Sequence, residues 1–383
     1  MLADRTDWYG HSFPTRTRRM TTYDAVGVVV AGRDEQSLGA LGQWVTKTFA
    51  LNAAKPVLPL GYYANILPLT AELGLAISTD GVGTKILVAQ EMGRYDTIGI
   101  DCVAMNANDV VCVGARPISM VDYIAVQKAD PTFLGEIAKG LYAGAEQAGI
   151  NIPAGEIAQL REMVHGSRDG FGFDLVGTCI GTVPLDRILI GQHVRPGDVV
   201  VGIASTGVHS NCFTLARSVL HDRAGLRYGE HVAELGTTLG DALLTPTAMY
   251  VKEAVAMLDA GLAVKAFIHI TGDGFLNLSR VEAVVGFVID RLMPVPPIFD
   301  LIQHHGAIGD AEMFRVYNMG VGFCVVVDPA DAARVVATIA EHGKQAAVIG
   351  RVVADPERRV WIPQRGLVGR DDAFTATQES GPA

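Results

Sequence analysis

The segment Asp80-Gly81-Val82-Gly83-Thr84-Lys85 is well equipped for chemistry on an anion. Its two glycines let the backbone approach a ligand closely and turn N–H groups toward it. A helix starting behind it would present its positive end, and Lys85 would add a full charge. Asp80 could hold a magnesium ion that bridges phosphates. The same glycines would equally serve a plain strand–helix turn. The spacing is neither Gly-x-x-x-x-Gly-Lys-Ser/Thr nor Gly-x-Gly-x-x-Gly, so those two nucleotide loops are excluded.

Four further segments carry candidate chemistry. Asp101, Asn108 and Asp109 are seven and eight residues apart, about two helical turns, so they share one side of an otherwise apolar helix. Carboxylates there are costly to bury unless paired or metal-bound; the bland alternative is a solvated stripe. In Ser205-Thr206-Gly207-Val208-His209-Ser210-Asn211, Gly207 permits a turn, and Ser210 and Asn211 can cap a helix or donate to phosphate. His209 could donate to an anion or move a proton, or serve structure alone. Thr271-Gly272-Asp273-Gly274-Phe275 could form an anion nest, although Asp273 puts negative charge where a phosphate wants none. In Pro153 to Gln159, Glu156 follows a turn and could reach a metal or a substrate nitrogen.

These segments sit between short β-like runs and helix-length amphipathic stretches, the pattern of an α/β or α+β protein. Strands are expected at Leu75–Thr79, Ile118–Val126, Phe173–Val183, Asp198–Ala204, Val284–Ile289, Gly320–Val327 and Ala346–Val352. Helices are expected near Asp96–Gly114, Pro131–Ala148, Ser210–Leu220, Pro246–Asp259, Phe299–His305 and Pro329–His342. The pattern pauses near residue 185 and restarts. The expected organisation is therefore a flexible extension over 1–20, an N-terminal domain over 21–185, a C-terminal domain over 186–365 and a flexible tail over 366–383. No repeat of fixed period marks a solenoid.

With 383 residues the chain has room for about two to three domains. Hydrophobic residues at 49% against 19% charged exclude a largely disordered chain. A formal net charge of −10 argues against nucleic acid or an anionic membrane as partner. Five cysteines without a Cys-x-x-Cys pair fit neither a disulfide framework nor a structural zinc site, and suit a reducing, cytoplasmic setting. No run reaches the roughly 18 apolar residues of a membrane span, and no apolar stretch follows Arg16, Arg18 and Arg19 to make a signal peptide. Three glycine turns at strand–helix junctions plus several acidic residues suggest a magnesium–nucleotide enzyme, without naming a reaction.

Taken in order, several blocks resemble the phosphoribosylformylglycinamidine cyclo-ligases, or aminoimidazole ribonucleotide synthetases, of purine biosynthesis. They are Asp80 to Lys85, Asp96-Thr97-Ile98-Gly99-Ile100-Asp101, Asn108-Asp109, Gly207 to Asn211, and Glu312-Met313-Phe314-Arg315 leading into Asn318-Met319-Gly320-Val321-Gly322. The resemblance runs from about Tyr23 to Ile362. It implies a two-domain α/β (α+β) fold and a homodimer whose N-terminal sheets meet in a barrel-like interface, with ATP and Mg2+ bound in a cleft. It also implies a C–N bond-forming ligase: ATP phosphorylates the formyl oxygen of formylglycinamidine ribonucleotide, a nitrogen attacks the activated carbon, and phosphate leaves. Carried over by position, Asp80, Asp101 and Asp109 would organise magnesium. Gly81, Val82, Gly83, Thr84, Lys85 and Asn108 would surround the ATP phosphates. Gly207, His209, Ser210 and Asn211 would hold an anionic group, with Asp80, Lys85, Asp109 and His209 taking part in catalysis. Glu156, Thr271 and Gly272 would lie on the substrate side.

The chain departs from the family pattern in four places. Ala154-Gly155-Glu156-Ile157-Ala158-Gln159 stands where Gly-Gly-Glu-Thr-Ala-Glu is usual, Asp273 replaces a glycine of Thr-Gly-Gly-Gly, and Cys212 replaces a glycine. Gly61-Tyr62-Tyr63-Ala64-Asn65 replaces a Gly-rich loop and could form a mobile ATP cover. These departures leave two alternatives: a relative phosphorylating another substrate, as thiamine-monophosphate kinase does, or a catalytically silent nucleotide-binding dimer. Selenophosphate synthetase chemistry would need a reactive cysteine near the N-terminus, whereas the first here is Cys102.

Overall fold

The computed structural model describes residues 35–382. The extension expected over 1–20, and the start of the domain expected from 21, lie outside the described residues. Two mixed sheets carry the fold. The first has the order β1-β2-β5-β3-β4, with β1 at Asn65–Pro68, β2 at Leu73–Gly81, β3 at Arg116–Val126, β4 at Asn151–Gln159 and β5 at Phe173–Pro184. All its pairings are antiparallel except β3 with β4. Along β5 the burial alternates strictly, so one face is core and the other is half-open. The open face carries Leu75, Ile77, Val176 and Ile180, together with Val121 at 41% and Tyr123 at 40% exposure.

The closed face is covered by the helix Ile98–Cys112, which packs on β2 and β5 and against the helix Pro131–Ala148. The second helix starts where expected: Asp130 caps it by accepting from Thr132 N and Phe133 N at 3.0 Å, and Pro131 fills its first turn. The two helices cross on glycines. A Cβ on Gly99 would meet the backbone nitrogen of Leu141 at 2.0 Å, so no larger residue fits there.

The second sheet has the order β15-β14-β13-β10-β12-β6-β11-β9. In chain order these are β6 (Val199–Ala204), β9 (Ala266–His269), β10 (Gly286–Val288), β11 (Val321–Val327), β12 (Ala346–Val353), β13 (Val360–Ile362), β14 (Leu367–Arg370) and β15 (Ala373–Ala376), with a small pair β7 (His231–Val232) and β8 (Thr237–Thr238) standing apart. Every residue of β11 is buried, which explains its unbroken apolar reading Val-Gly-Phe-Cys-Val-Val-Val. The helix Ile98–Cys112 also touches β9 and the helix Val251–Asp259. It lies between the two halves of the chain and is buried almost all round, polar side chains included.

Three expectations need correction. Within the segment expected as a flexible tail, residues 366–382 are not frayed: β14 pairs with β13, β15 folds back on β14, and Arg351 donates to the Pro382 carbonyl at 3.0 Å. Leu367 and Phe374 are buried there, and Asp371, at φ 54, makes the turn between the strands. Pro153–Gln159 is not a turn but most of strand β4. The helix expected from Pro246 begins only at Val251, because Thr247 N and Tyr250 N donate to Asp101 and Asn108 rather than to a helix.

Candidate active site

Strand β2 runs directly into the Asp80–Lys85 turn. Asp80 Oδ1 accepts from Gly81 N at 2.8 Å, and the Asp80 carbonyl accepts from Asn106 Nδ2 at 3.1 Å. Gly83 takes φ +72, a left-handed conformation favouring glycine, and its position is exposed. The helix Lys85–Met92 then begins without a side-chain cap, Ile86 N and Leu87 N donating to the carbonyls of Gly83 at 3.3 Å and Thr84 at 3.2 Å. Thr84 meets Thr214 hydroxyl to hydroxyl at 3.0 Å, so this turn already touches the C-terminal half.

Lys85 does not face this opening. Its ammonium and the Asp101 carboxylate are both fully buried and lie 2.9 Å apart. Lys85 Nζ also donates to the carbonyls of His209 at 3.1 Å and Thr245 at 2.7 Å, which uses all three of its protons. Asp101 Oδ1 accepts in addition from the amide and hydroxyl of Thr247, each at 2.7 Å. A carboxylate sealed in this way is not placed to ligate magnesium, and an ammonium sealed in this way is not placed to grip a phosphate. Asn108 is occupied likewise: Nδ2 donates to the Ala248 carbonyl at 2.9 Å and Oδ1 accepts from Tyr250 N at 2.8 Å. The expected shared polar side of this helix is therefore divided. Asp101 and Asn108 clamp residues 245–250, while Asp109 points elsewhere.

Asp109 meets His269, at the end of β9, with Oδ1 2.9 Å from Nδ1. It also lies close enough to Asp80 to repel it. Burial and then the charge of Asp109 push the Asp80 carboxyl up to about 6, against the opposing pull of the Gly81 amide and His269. Asp80 and Asp109 thus form an acidic pair beside the glycine turn. Asn106 belongs with them: its Oδ1 is buried without a hydrogen-bond partner among the described residues, while Nδ2 holds the Asp80 carbonyl.

The turn at 205–211 closes the C-terminal side. Gly207 has φ +141 and its carbonyl accepts from Asn318 Nδ2 at 2.7 Å. His209 is buried, with φ 65, and its Nε2 accepts from Thr206 N at 3.3 Å. Burial, reinforced by His269 and Lys85, holds its pKa well below the usual imidazole range. His209 is therefore a neutral ring whose Nδ1 carries the proton, and that nitrogen has no partner among the described residues. Ser210 shares a hydroxyl contact of 3.0 Å with Thr247. Gly272 sits beside Asn211, where an added Cβ would lie 3.8 Å from Asn211 Oδ1, so the 205–211 and 271–272 turns adjoin as expected. Asp273 is paired with Arg280 at 2.8 Å, which removes the objection to its negative charge.

Two expected elements fall elsewhere. Asp80 stands in register with Gly177, Asp122 and Gly155 across four strands. Glu156 is in the next row, opposite Tyr123, and so on the other face of the sheet at an exposed edge. Within one chain it does not join Asp80 and Asp109. The segment Gly61–Asn65 is anchored: Tyr63 donates to the His269 carbonyl at 2.9 Å, and Asn65 bonds the backbone of Leu58. His269 itself went unread in the sequence, although it precedes the Thr271-Gly272 turn by two residues.

Family models cover most of this architecture. The N-terminal domain of AIR synthase related proteins matches residues 61–183, and their C-terminal domain matches 195–362. The phosphoribosylformylglycinamidine cyclo-ligase of Methanocaldococcus jannaschii is 42% identical over 87% of this chain and 93% of its own length. The chain belongs to the phosphoribosylformylglycinamidine cyclo-ligase family. A cyclo-ligase from Thermococcus gammatolerans, at 42% identity over 89% of this chain and 98% of its own, agrees with that placement. More distant solved structures share the cyclo-ligase fold alone. Thiamine-monophosphate kinase from Stenotrophomonas maltophilia gives a TM-score of 0.57 at 17% identity, covering 83% of this chain and 94% of that one. The hydrogenase maturation protein HypE of E. coli gives 0.53 at 21%, covering 75% and 81%.

Proposed function

We propose that this chain catalyses the ATP-dependent closure of formylglycinamidine ribonucleotide to aminoimidazole ribonucleotide, releasing ADP and phosphate. The observation that carries the reading is the match to cyclo-ligases at 42% identity along 93% of a relative's length. The chemical problem is an amide oxygen that leaves poorly. In the proposed sequence the formyl oxygen takes the γ-phosphoryl group and ADP departs. A substrate nitrogen then adds to the activated carbon, loses its proton, and the oxygen leaves as inorganic phosphate. Such a transfer needs positioning and charge neutralisation rather than a protein nucleophile.

Among the described residues no three His, Cys, Asp or Glu side chains converge on a ready metal site. Two neighbouring carboxylates, with burial first and the charge of Asp109 second raising Asp80 to about 6, nevertheless fit a cation that draws its remaining oxygen ligands from phosphate and water, as magnesium does. Asp80 and Asp109 would hold it, and it would neutralise the phosphate oxygens and favour loss of ADP. Gly83 and Thr84 would direct amides at the same phosphates, while Gly81 N is held by Asp80 and Val82 N by the Leu175 carbonyl. His209 would donate its Nδ1 proton to an anionic oxygen, with Ser210, Asn211, Thr271 and Gly272 lining that side. Lys85, Asp101 and Asn108 are reassigned to holding the 205–211 and 245–250 segments in place. Glu156, on the open sheet face, would act in a second copy's site or at the substrate edge.

That face also supports a homodimer, since Val121, Tyr123, Val176 and Ile180 form an apolar surface that no described residue covers. No described helix is long and apolar enough to cross a membrane, and the cysteine usage favours the cytoplasm as the site of action. Purified protein given ATP, magnesium and formylglycinamidine ribonucleotide should release ADP in step with imidazole formation, and Asp80→Ala should abolish both. ATP binding without substrate-dependent ADP release would overturn the proposal.

A further inference from the structure

Asp109 occupies an awkward position for a carboxylate. It lies in the last turn of the helix Ile98–Cys112, where the helix dipole disfavours negative charge. Its one hydrogen-bond partner among the described residues comes from the other half of the chain. His269 Nδ1 lies 2.9 Å from Asp109 Oδ1, and the imidazole is fully buried. An ionised carboxylate has no proton to give, so Nδ1 is the donor. The far nitrogen, Nε2, is buried with no hydrogen-bond partner among the described residues, which leaves Asp109 as the ring's one hydrogen-bond partner there. The ring lies beside Tyr250 and Phe323, with centroids 6.4 and 6.2 Å away. The His269 carbonyl is held in turn by the Tyr63 hydroxyl at 2.9 Å. Both ends of His269 are thus tied to the N-terminal half.

We propose that His269 is a positioning residue, which fixes the Asp109 carboxylate from across the domain junction so that its remaining lone pairs are presented to the divalent cation. The inference rests on the reading of Asp80 and Asp109 as the metal carboxylates. It extends that reading by making the metal site a joint product of both halves of the chain, because β9 supplies the group that orients the ligand on the helix. A histidine kept only for packing would be served equally by an apolar ring, since half of its polar capacity is wasted here.

Mn2+ serves as the probe, with free ion measured by electron paramagnetic resonance in the presence of a non-hydrolysable ATP analogue. Three variants separate the roles. His269→Phe removes the donor and keeps an aromatic ring. His269→Asn places an amide N–H near the Nδ1 position, whereas His269→Gln carries its amide out to the Nε2 position. His269→Phe and His269→Gln should weaken Mn2+ binding by about 10- to 100-fold, the usual cost of losing an outer-shell partner, and His269→Asn should recover most of it. Thermal melts without metal identify any variant that fails to fold, in which case the Asn and Gln pair decides. Equal Mn2+ affinity in all folded variants, or an Asn variant as weak as Gln, overturns the proposal. Wild-type protein that binds no Mn2+ instead refutes the carboxylate reading beneath it.

Discussion

Replacing Lys85 by methionine separates two roles that its sequence position left open. A lysine gripping phosphate from an accessible turn would cost little stability when removed and much nucleotide affinity. The structure instead shows a fully buried ammonium, 2.9 Å from a fully buried Asp101 and bonded to the carbonyls of His209 and Thr245. Removing one partner of such a pair typically costs about 3–5 kcal/mol, because the other charge is left uncompensated. Asp101 would keep its two bonds from Thr247, which puts the expected loss near the lower end, about 3 kcal/mol. Asp101→Asn should lose a comparable amount. The double variant Lys85→Met with Asp101→Asn should lose well under the sum, since neither charge then remains. Urea unfolding followed by circular dichroism, at one fixed protein concentration, measures all four corners of the cycle. Lys85→Met unfolding within about 0.5 kcal/mol of the parent, the range of an ordinary surface substitution, while losing ATP affinity would refute this assignment.

Other consequences follow from the same geometry. The Asp80 carboxyl is raised to about 6, so the metal-free protein should lose stability as pH rises through roughly 4 to 6, where the unfolded chain ionises first and the folded one resists. At about 1.4 kcal/mol per unit the ceiling is about 3 kcal/mol, and Asp80→Asn should therefore be more stable than the parent above pH 6 but not below about pH 4; a gap independent of pH would contradict the cause given. Cys212 adopts φ 59 where the family usually has glycine. Cys212→Gly should gain about 1 kcal/mol by relieving the left-handed strain, less the thiol contact to the Val316 carbonyl, and Cys212→Ala, which keeps the strain, should gain nothing in a thermal melt. Introducing lysine at both Val121 and Tyr123 should turn a dimer into monomers in sedimentation velocity without unfolding it, and an unchanged species would remove this face from the interface.

Much of the fold was legible because periodicity and punctuation agreed. Asp130, Pro131 and Gly149 bracket a helix that runs from Pro131 to Ala148 as read, and β5 alternates over its whole length. What escaped were elements whose pairing is decided at a distance. Asn151–Gln159 carries Pro, Gly and charge and reads as a turn, yet it adds to the sheet edge through its backbone beside β3. The four-residue strands β14 and β15 are too short to show a period and hold together by pairing with each other and β13. The same division runs through the site. The glycine turns and acidic residues suggest anion and metal chemistry by type and spacing. Which acid faces the opening was not legible, because Asp101 and Asp109 are told apart by their partners in the folded chain: Lys85 and Thr247 for one, His269 for the other.

The claim on which the account turns is that the formyl oxygen leaves as phosphate. Substrate labelled with 18O at the formyl position, turned over with unlabelled ATP in unlabelled water, tests this by mass spectrometry of the released inorganic phosphate. The account predicts that the label appears in phosphate in step with imidazole formed. Label recovered in water, with unlabelled phosphate, would contradict it.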